Sequence, residues 1–365
     1  MTPTPTRLLV FVGLLLAALA GGTALLASVY HDLRHQRTSR HVQQGHLLAE
    51  RGDLQAAVRE YRAALSLERE HPEAARALAL SLLPLGRTTE AESYLRELLR
   101  QAPTDGALNR GLARVLAAQE RHDEARAAYQ RAIYGEWPAE GLSERLDTRF
   151  ELIAYLTRRE AQEEVVAELM RLNAELPAGH TAAARRIADL LVQQGATELG
   201  LEVLRTATTL APDDVDLLSD LAALETAAGR PADARGTLRR ALALAPARTE
   251  LRDRLAVVDR VLALDPTLPG LRLVTRTRRA RAVLAAAVEQ TRRCDVTEEP
   301  IAVLREDAAR RLRRPARTDA EAAEEELALA QRLWAAAEGC RPDTPDARAL
   351  SEVLGRVDTS AEPRA

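Results

Sequence analysis

A spacing of 34 residues recurs along the middle of this chain and limits its fold more than any other feature. Gly52 and Gly86 stand 34 apart, as do Gly195 and Gly229. Ala57, Ala91 and Ala125 step by the same interval, Gly200 leads to Ala234, and Pro212 leads to Pro246. Within each period the order is apolar helix, Gly turn, second helix, Pro-marked exit. In the first, Val42 to Ala49 runs into Gly52-Asp53, and Leu54 to Leu67 then carries Ala57, Tyr61 and Ala64 on one helix face. A single helix pair cannot bury that face alone, so the pattern predicts stacked pairs sharing a core.

Composition agrees with an all-α chain. The 51 basic side chains are all Arg, and Ala, Leu, Arg and Glu, good helix formers, dominate the 365 residues. Aromatic content of 3% argues against a β-sandwich or barrel. Hydrophobic content of 46% with a net charge of −3 excludes a disordered chain and removes any global case for steering nucleic acid. Two cysteines rule out a disulfide-dense scaffold and a four-thiolate zinc site.

The repeat resembles the tetratricopeptide repeat family, in which small residues let paired helices approach closely and a large apolar residue and a Pro complete each unit. Repeat 1 (38–71) supplies Gly45, Ala57, Tyr61 and Ala64, with Arg69 where Pro is expected. Repeat 2 (72–105) supplies Ala79, Ala91, Leu95 and Pro103, with Leu98 in place of a small residue. Repeat 3 (106–139) has Ala113, Ala125, Tyr129 and Ala132, with Pro138 one place late. After an insertion around Gly141, repeat 4 is degenerate, carrying Ile153, Val165, Leu169 and Pro177. Repeats 5 (181–214) and 6 (215–248) are nearly complete, with Ala188, Gly200, Leu204, Ala207 and Pro212, then Ala222, Ala234, Leu238, Ala241 and Pro246. The resemblance implies a right-handed solenoid of six helix pairs. Leu251, Leu255 and Val258 continue the register as a capping helix over 249–264.

Before the repeats, Leu8 to Tyr30 is apolar and uncharged. As a helix it is about 34 Å long, enough to cross the hydrocarbon core of a bilayer. Ala18-Leu19-Ala20 before Gly21 leaves signal-peptide cleavage as the alternative, but the apolar run continues to Val29, which favours an uncleaved anchor. The expected layout is a tail over 1–7, a transmembrane helix over 8–30 and a juxtamembrane linker over 31–37. Arg34, Arg37 and Arg40 after the span lean towards a cytoplasmic body. A short leading tail and the cysteine pair lean towards export.

Asp265-Pro266 and Pro269-Gly270 end the solenoid, and a helical bundle is expected over 271–355, with a disordered tail over 356–365. Its helices read as Leu271–Arg293, Pro300–Arg314 and Asp319–Glu338. Short loops make neighbours antiparallel, so the first and third run parallel and bring Cys294 and Cys340 to one end. A disulfide between them is expected, and it implies an oxidising compartment. Arg272, Arg276, Arg278, Arg279 and Arg281 crowd the first helix, and Glu324, Glu325 and Glu326 the third. These read as solvated faces with inter-helix pairing, against a headgroup or nucleic-acid surface without aromatic interleaving.

No phosphate loop, nucleophile elbow, dinucleotide fingerprint or zinc motif is present, so neither catalysis nor a cofactor is expected. His31 and His35 share a helical face, yet juxtamembrane polarity accounts for them and no metal site is assigned. What the family resemblance implies is ligand contact along the first helix of each pair. At motif positions 5 and 9 this places Arg76 in repeat 2, Arg110 and Arg114 in repeat 3, and Arg185 and Asp189 in repeat 5. Arg110 and Arg114 are one turn apart on one face and resemble a basic pair that grips a terminal carboxylate, although repeat 1 offers only Val42 and His46. The expectation is a bacterial inner-membrane scaffold, extracytoplasmic in its soluble body, holding acidic or carboxylate-ended protein segments in the concave groove. A cytoplasmic body, a catalytic C-terminal module and nucleic-acid binding are the alternatives.

Overall fold

The computed structural model describes residues 5–138, 141–293 and 299–361. Among these residues the chain is all-α, with seventeen α-helices. They are α1 (Pro5–Glu50), α2 (Leu54–Leu67), α3 (Pro72–Leu82), α4 (Thr88–Gln101), α5 (Gly106–Ala118) and α6 (His122–Ile133). Then come α7 (Leu142–Arg158), α8 (Gln162–Glu175), α9 (Thr181–Gln193), α10 (Thr197–Leu210), α11 (Val215–Ala227) and α12 (Pro231–Leu244). The series closes with α13 (Thr249–Leu264), α14 (Leu273–Gln290), α15 (Glu299–Arg313), α16 (Ala320–Ala336) and α17 (Pro345–Ala361). The chain forms two bodies, residues 1–168 and 169–365.

In the N-terminal body the end of α1 pairs with α2, α3 with α4, and α5 with α6, one pair per expected repeat. The residues that define the repeat are the ones that lose solvent: Ala57, Ala64, Ala79, Ala91, Leu95, Ala113, Ala125 and Ala132 are all buried. Their small size sets the helix spacing. At Gly45 a Cβ would lie 2.4 Å from the ring of Tyr61, so the largest side chain of repeat 1 packs where only hydrogen fits. Ile153 and Val165 of the degenerate repeat 4 are buried too. The first turn of several helices is capped by an Asp: Asp53 accepts from Ala56 N at 3.0 Å and Asp105 from Leu108 N at 2.9 Å.

The end of repeat 3, just before the insertion, folds back over the start of α5. Glu136 N donates to Thr104 O at 2.6 Å, and Gly106 N donates to Glu136 O at 2.9 Å. Trp137 donates from Nε1 to Ala132 O at 2.8 Å and lays its ring against Gly106, where a Cβ would sit 2.3 Å from Nε1.

In the C-terminal body α9–α10 and α11–α12 repeat the same pairing. Helix α13 has two partners. Leu251 and Val258 share a core with Leu218, Ala222, Ala234 and Leu238, closing repeat 6. Val261 and Leu264 belong instead to the bundle core, with Val283, Leu284, Leu333, Trp334 and Leu350. The cap and the bundle are therefore continuous, although Pro266 and Pro269-Gly270 end the helix between them.

Two boundaries differ from expectation. Residues 31–37, expected as a linker, are helical and join the N-terminal segment to repeat 1 without a break. No Gly or Pro interrupts 31–44, so nothing stops the helix there. Residues 356–361, expected in a disordered tail, complete α17, a fourth bundle helix. It packs because Ala347, Ala349, Leu350, Val353 and Leu354 form a buried stripe at helical spacing. Finally, among the described residues no helix is long and apolar enough to cross a membrane. The side chains of residues 8–21, 24 and 27, most of the expected span, lie outside the described residues.

Candidate functional site

The arginines expected to face a ligand all stand on first helices, and each already holds an acid of its own chain. Helix α5 projects Arg110 and Arg114 one turn apart, and both reach Glu151 of α7. Arg110 Nε donates to Oε1 at 3.1 Å and Arg114 Nε to Oε2 at 3.0 Å, with a further Nη2 bond from each arginine. The three side chains are 18%, 42% and 28% exposed, so one edge of the cluster faces solvent. Burial pushes the Glu151 carboxyl up, but the hydrogen bonds and charges of the two arginines outweigh it and hold the group below its ordinary range. The same carboxylate holds Arg114 above its usual value, against desolvation. Beneath them, burial first and Glu151 second push the Tyr129 hydroxyl up to about 12, so it remains a neutral donor.

Arg76 of α3 pairs with Asp105, the N-cap of α5. Two ties of one kind thus link successive first helices, α3 to α5 and α5 to α7. In the C-terminal body Arg185 of α9 pairs with Asp220 of α11. Burial and the nearby Asp220 raise the carboxyl of Asp189, one turn beyond Arg185. Arg254 of α13 donates from Nη1 to Ser219 Oγ at 2.7 Å. In repeat 1, Val42 is buried and cannot contact a ligand. His46 lies between Glu73 and the Tyr61 hydroxyl, each at 3.3 Å. Leu80, at motif position 9 of repeat 2, is 37% exposed and gives the face an apolar element.

The structure brings Arg110 and Arg114 together on one carboxylate; Arg76 lies on the neighbouring helix with its own acid. Sequence reasoning missed Glu151, because it belongs to the repeat displaced by the insertion and occupies no expected ligand position. Of the arginines on the first bundle helix, Arg279 and Arg281 bond within the chain, whereas Arg272, Arg276 and Arg278 are exposed. Arg281 donates to Glu326 Oε1 at 3.0 Å and to two carbonyls at the end of α15, and Arg279 donates to Asp265 O at 2.7 Å. Cys340 is disulfide-bonded; Cys294 lies outside the described residues. The C-terminal end of α14 meets the start of α17, where Thr344 Oγ1 donates to Gln290 Oε1 at 3.3 Å. Among the described residues no group of three or more His, Cys, Asp or Glu is placed to hold a metal ion.

A family model described as tetratricopeptide repeat matches residues 42–106, 77–140 and 185–249. No curated protein matches the chain. Among solved structures it is similar to PilF of Pseudomonas aeruginosa, at 17% identity and a TM-score of 0.38, covering 60% of this chain and 97% of that one. It is also similar to a thermophilic protein of the same repeat class from Thermus thermophilus. There the identity is 20% and the TM-score 0.25, over 60% of this chain and 98% of that one. The C-terminal part of a repeat-containing protein from Cytophaga hutchinsonii is similar at 12% identity and a TM-score of 0.43, over 73% and 98% of the two chains.

Proposed function

The chain is a tetratricopeptide repeat protein through residues 42–140 and 185–249, and we propose that it is a membrane-anchored scaffold whose first helices take an acidic partner segment. Tetratricopeptide repeats mediate protein–protein interaction, and this reading adds the ligand chemistry and the place. The observation that carries it is the Arg110–Arg114 pair, two guanidinium groups from one helix face converging on one carboxylate. Such charge-assisted bonds select carboxylate oxygens by geometry as well as charge. A partner's Asp, Glu or terminal carboxylate exchanges with Glu151, while Arg76 and the exposed Leu80 extend the contact. No bond chemistry is assigned, so the protein acts by holding partners together.

The anchor rests on α1, in which the apolar run Leu8–Tyr30 continues into the first helix of repeat 1. A continuous helix places the partner-binding face at a set height above the bilayer. We place the body outside a bacterial inner membrane, where the disulfide at Cys340 persists and where envelope assembly, secretion or protein maturation needs such a scaffold.

Cross-linking in membranes followed by mass spectrometry tests the site. Partners captured by the wild type are expected to be lost in Arg110→Ala/Arg114→Ala and enriched in Glu151→Gln; equal capture in all three rejects the acidic-ligand reading. A C-terminal alkaline phosphatase fusion active in cells, with a fluorescent fusion that stays dark, is the expected outcome for an exported body. The reverse pattern assigns a cytoplasmic body.

A further inference from the structure

His31 and His35 lie four residues apart on α1, which sets both rings on one face, one turn apart. The rings meet edge to face with centroids 4.1 Å apart, and their two Nε2 atoms stand 2.7 Å from each other. Between neutral imidazoles this is one N–H donating to one lone pair. Two imidazole nitrogens bound to one ion at about 2.0–2.1 Å are about 2.9 Å apart when cis at a right angle, and about 3.3 Å apart in a tetrahedron. The pair is therefore close to a cis chelate before any ion arrives.

The other side of His35 faces an acid of α2. Its Nδ1 lies 2.7 Å from Glu68 Oε1, whose side chain is only 16% exposed at the C-terminal end of α2. One residue earlier, the Leu67 carbonyl accepts from Arg34, which ties α1 to α2 at the same level. The carboxylate lies beside Nδ1 at ion-pair distance without hydrogen-bond alignment, so it contributes charge there while the Nε2 edge faces His31. The remaining histidines of α1 are placed otherwise: His41 meets Glu60 at 2.8 Å, and His46 lies between Glu73 and Tyr61.

We propose that His31 and His35 chelate a divalent first-row transition ion through Nε2, with the Glu68 carboxylate beside His35 adding favourable charge and water completing the coordination. Right-angled nitrogen donors with open positions suit Cu(II) and Ni(II), and Cu(II) stands at the top of the affinity order. Mg²⁺ and Ca²⁺, which require oxygen ligands, do not fit. The site is separate from the partner-binding face, and it stands or falls independently of that reading.

The test uses the full chain, purified without a polyhistidine tag and stripped with EDTA. Cu(II) and Ni(II) are titrated calorimetrically, and the Cu(II) form is examined by electron paramagnetic resonance. The expected result is one equivalent of Cu(II) with a two-nitrogen spectrum, bound more tightly than Ni(II). His31→Ala and His35→Ala each weaken binding at least tenfold. Glu68→Gln weakens it about threefold to tenfold through the lost charge, with the spectrum retained, and His41→Ala leaves it unchanged. Because both histidines are exposed, circular dichroism should report an unaltered fold in every variant. Wild-type affinity and spectrum matching those of the His31→Ala/His35→Ala double variant would overturn the site. Full affinity in Glu68→Gln would overturn the role of its charge.

Discussion

Glu120 occupies the turn position that Gly86 holds 34 residues earlier, with φ of 59° against 70°. Gly52, Gly195 and Gly229 adopt the same left-handed conformation in their repeats, and Glu160 does so in repeat 4 at 57°. The turn geometry belongs to the repeat, and repeats 3 and 4 maintain it with a side chain that strains the backbone. Glu120→Gly is expected to raise the urea midpoint, a gain of roughly 0.5–1 kcal/mol after the added freedom of the unfolded chain is subtracted. Glu120→Val should lower the midpoint.

Glu151 makes stability depend on pH in a definite direction. Its folded pKa lies below the ordinary value, because the two arginines outweigh burial. The unfolded chain therefore binds that proton more tightly, and the contribution is complete above the unfolded pKa of about 4.3 and lost as pH falls through the folded one. Glu151→Gln should cost roughly 1–2 kcal/mol at pH 7. That difference should shrink as pH falls below about 4.3 in parallel urea titrations. A difference constant with pH would show that the carboxylate charge is not what the arginines use.

Arg356 joins the last bundle helix to repeat 6. It reaches the fully buried Asp265 at 3.3 Å and the Thr226 carbonyl at 3.2 Å, and it pairs with Glu352. Thr267 also donates to Asp265, from its backbone N–H at 2.8 Å and its hydroxyl at 2.6 Å, which limits the loss if the arginine goes. Arg356→Ala should destabilise the C-terminal body by up to about 3 kcal/mol through the charge left buried. Truncation after residue 355 should do the same, whereas truncation after 361 should be neutral. Thermal melts of the three chains make the comparison.

The disulfide at Cys340 is the remaining restraint on the bundle. Cys340→Ser should lower bundle stability by about 2–4 kcal/mol. The wild type, but not the variant, should migrate more slowly on a gel after reduction. Equal mobility with and without reductant would reject an intrachain bridge to Cys294.

Much of the fold is readable because the repeat states its geometry several times. Ala57, Ala91 and Ala125 recur at one interval since the same helix contact recurs, and α13 can be placed because Leu251, Leu255 and Val258 keep its register. Helix α17 escapes such a reading because Pro345 and a short apolar stripe, Ala349, Leu350, Val353 and Leu354, resemble the start of a polar tail when read alone. The site is half readable. Arg110 and Arg114 follow from their spacing, whereas Glu151 lies 37 residues beyond Arg114 and past an insertion that breaks the register.

What the sequence determined by itself is the helix pair and its repetition, because small residues at a fixed interval dictate how closely neighbouring helices pack. What only the tertiary structure decided is which charges meet. Arg110, Arg114, Arg76 and Arg185 look alike in sequence, as surface arginines on first helices. Each finds its acid on another helix, 29 to 41 residues away, and such long-range pairing leaves no trace in local periodicity. His31 and His35 follow the same rule: their spacing put them on one face, but only the packing of α2 brought the Glu68 carboxylate beside His35.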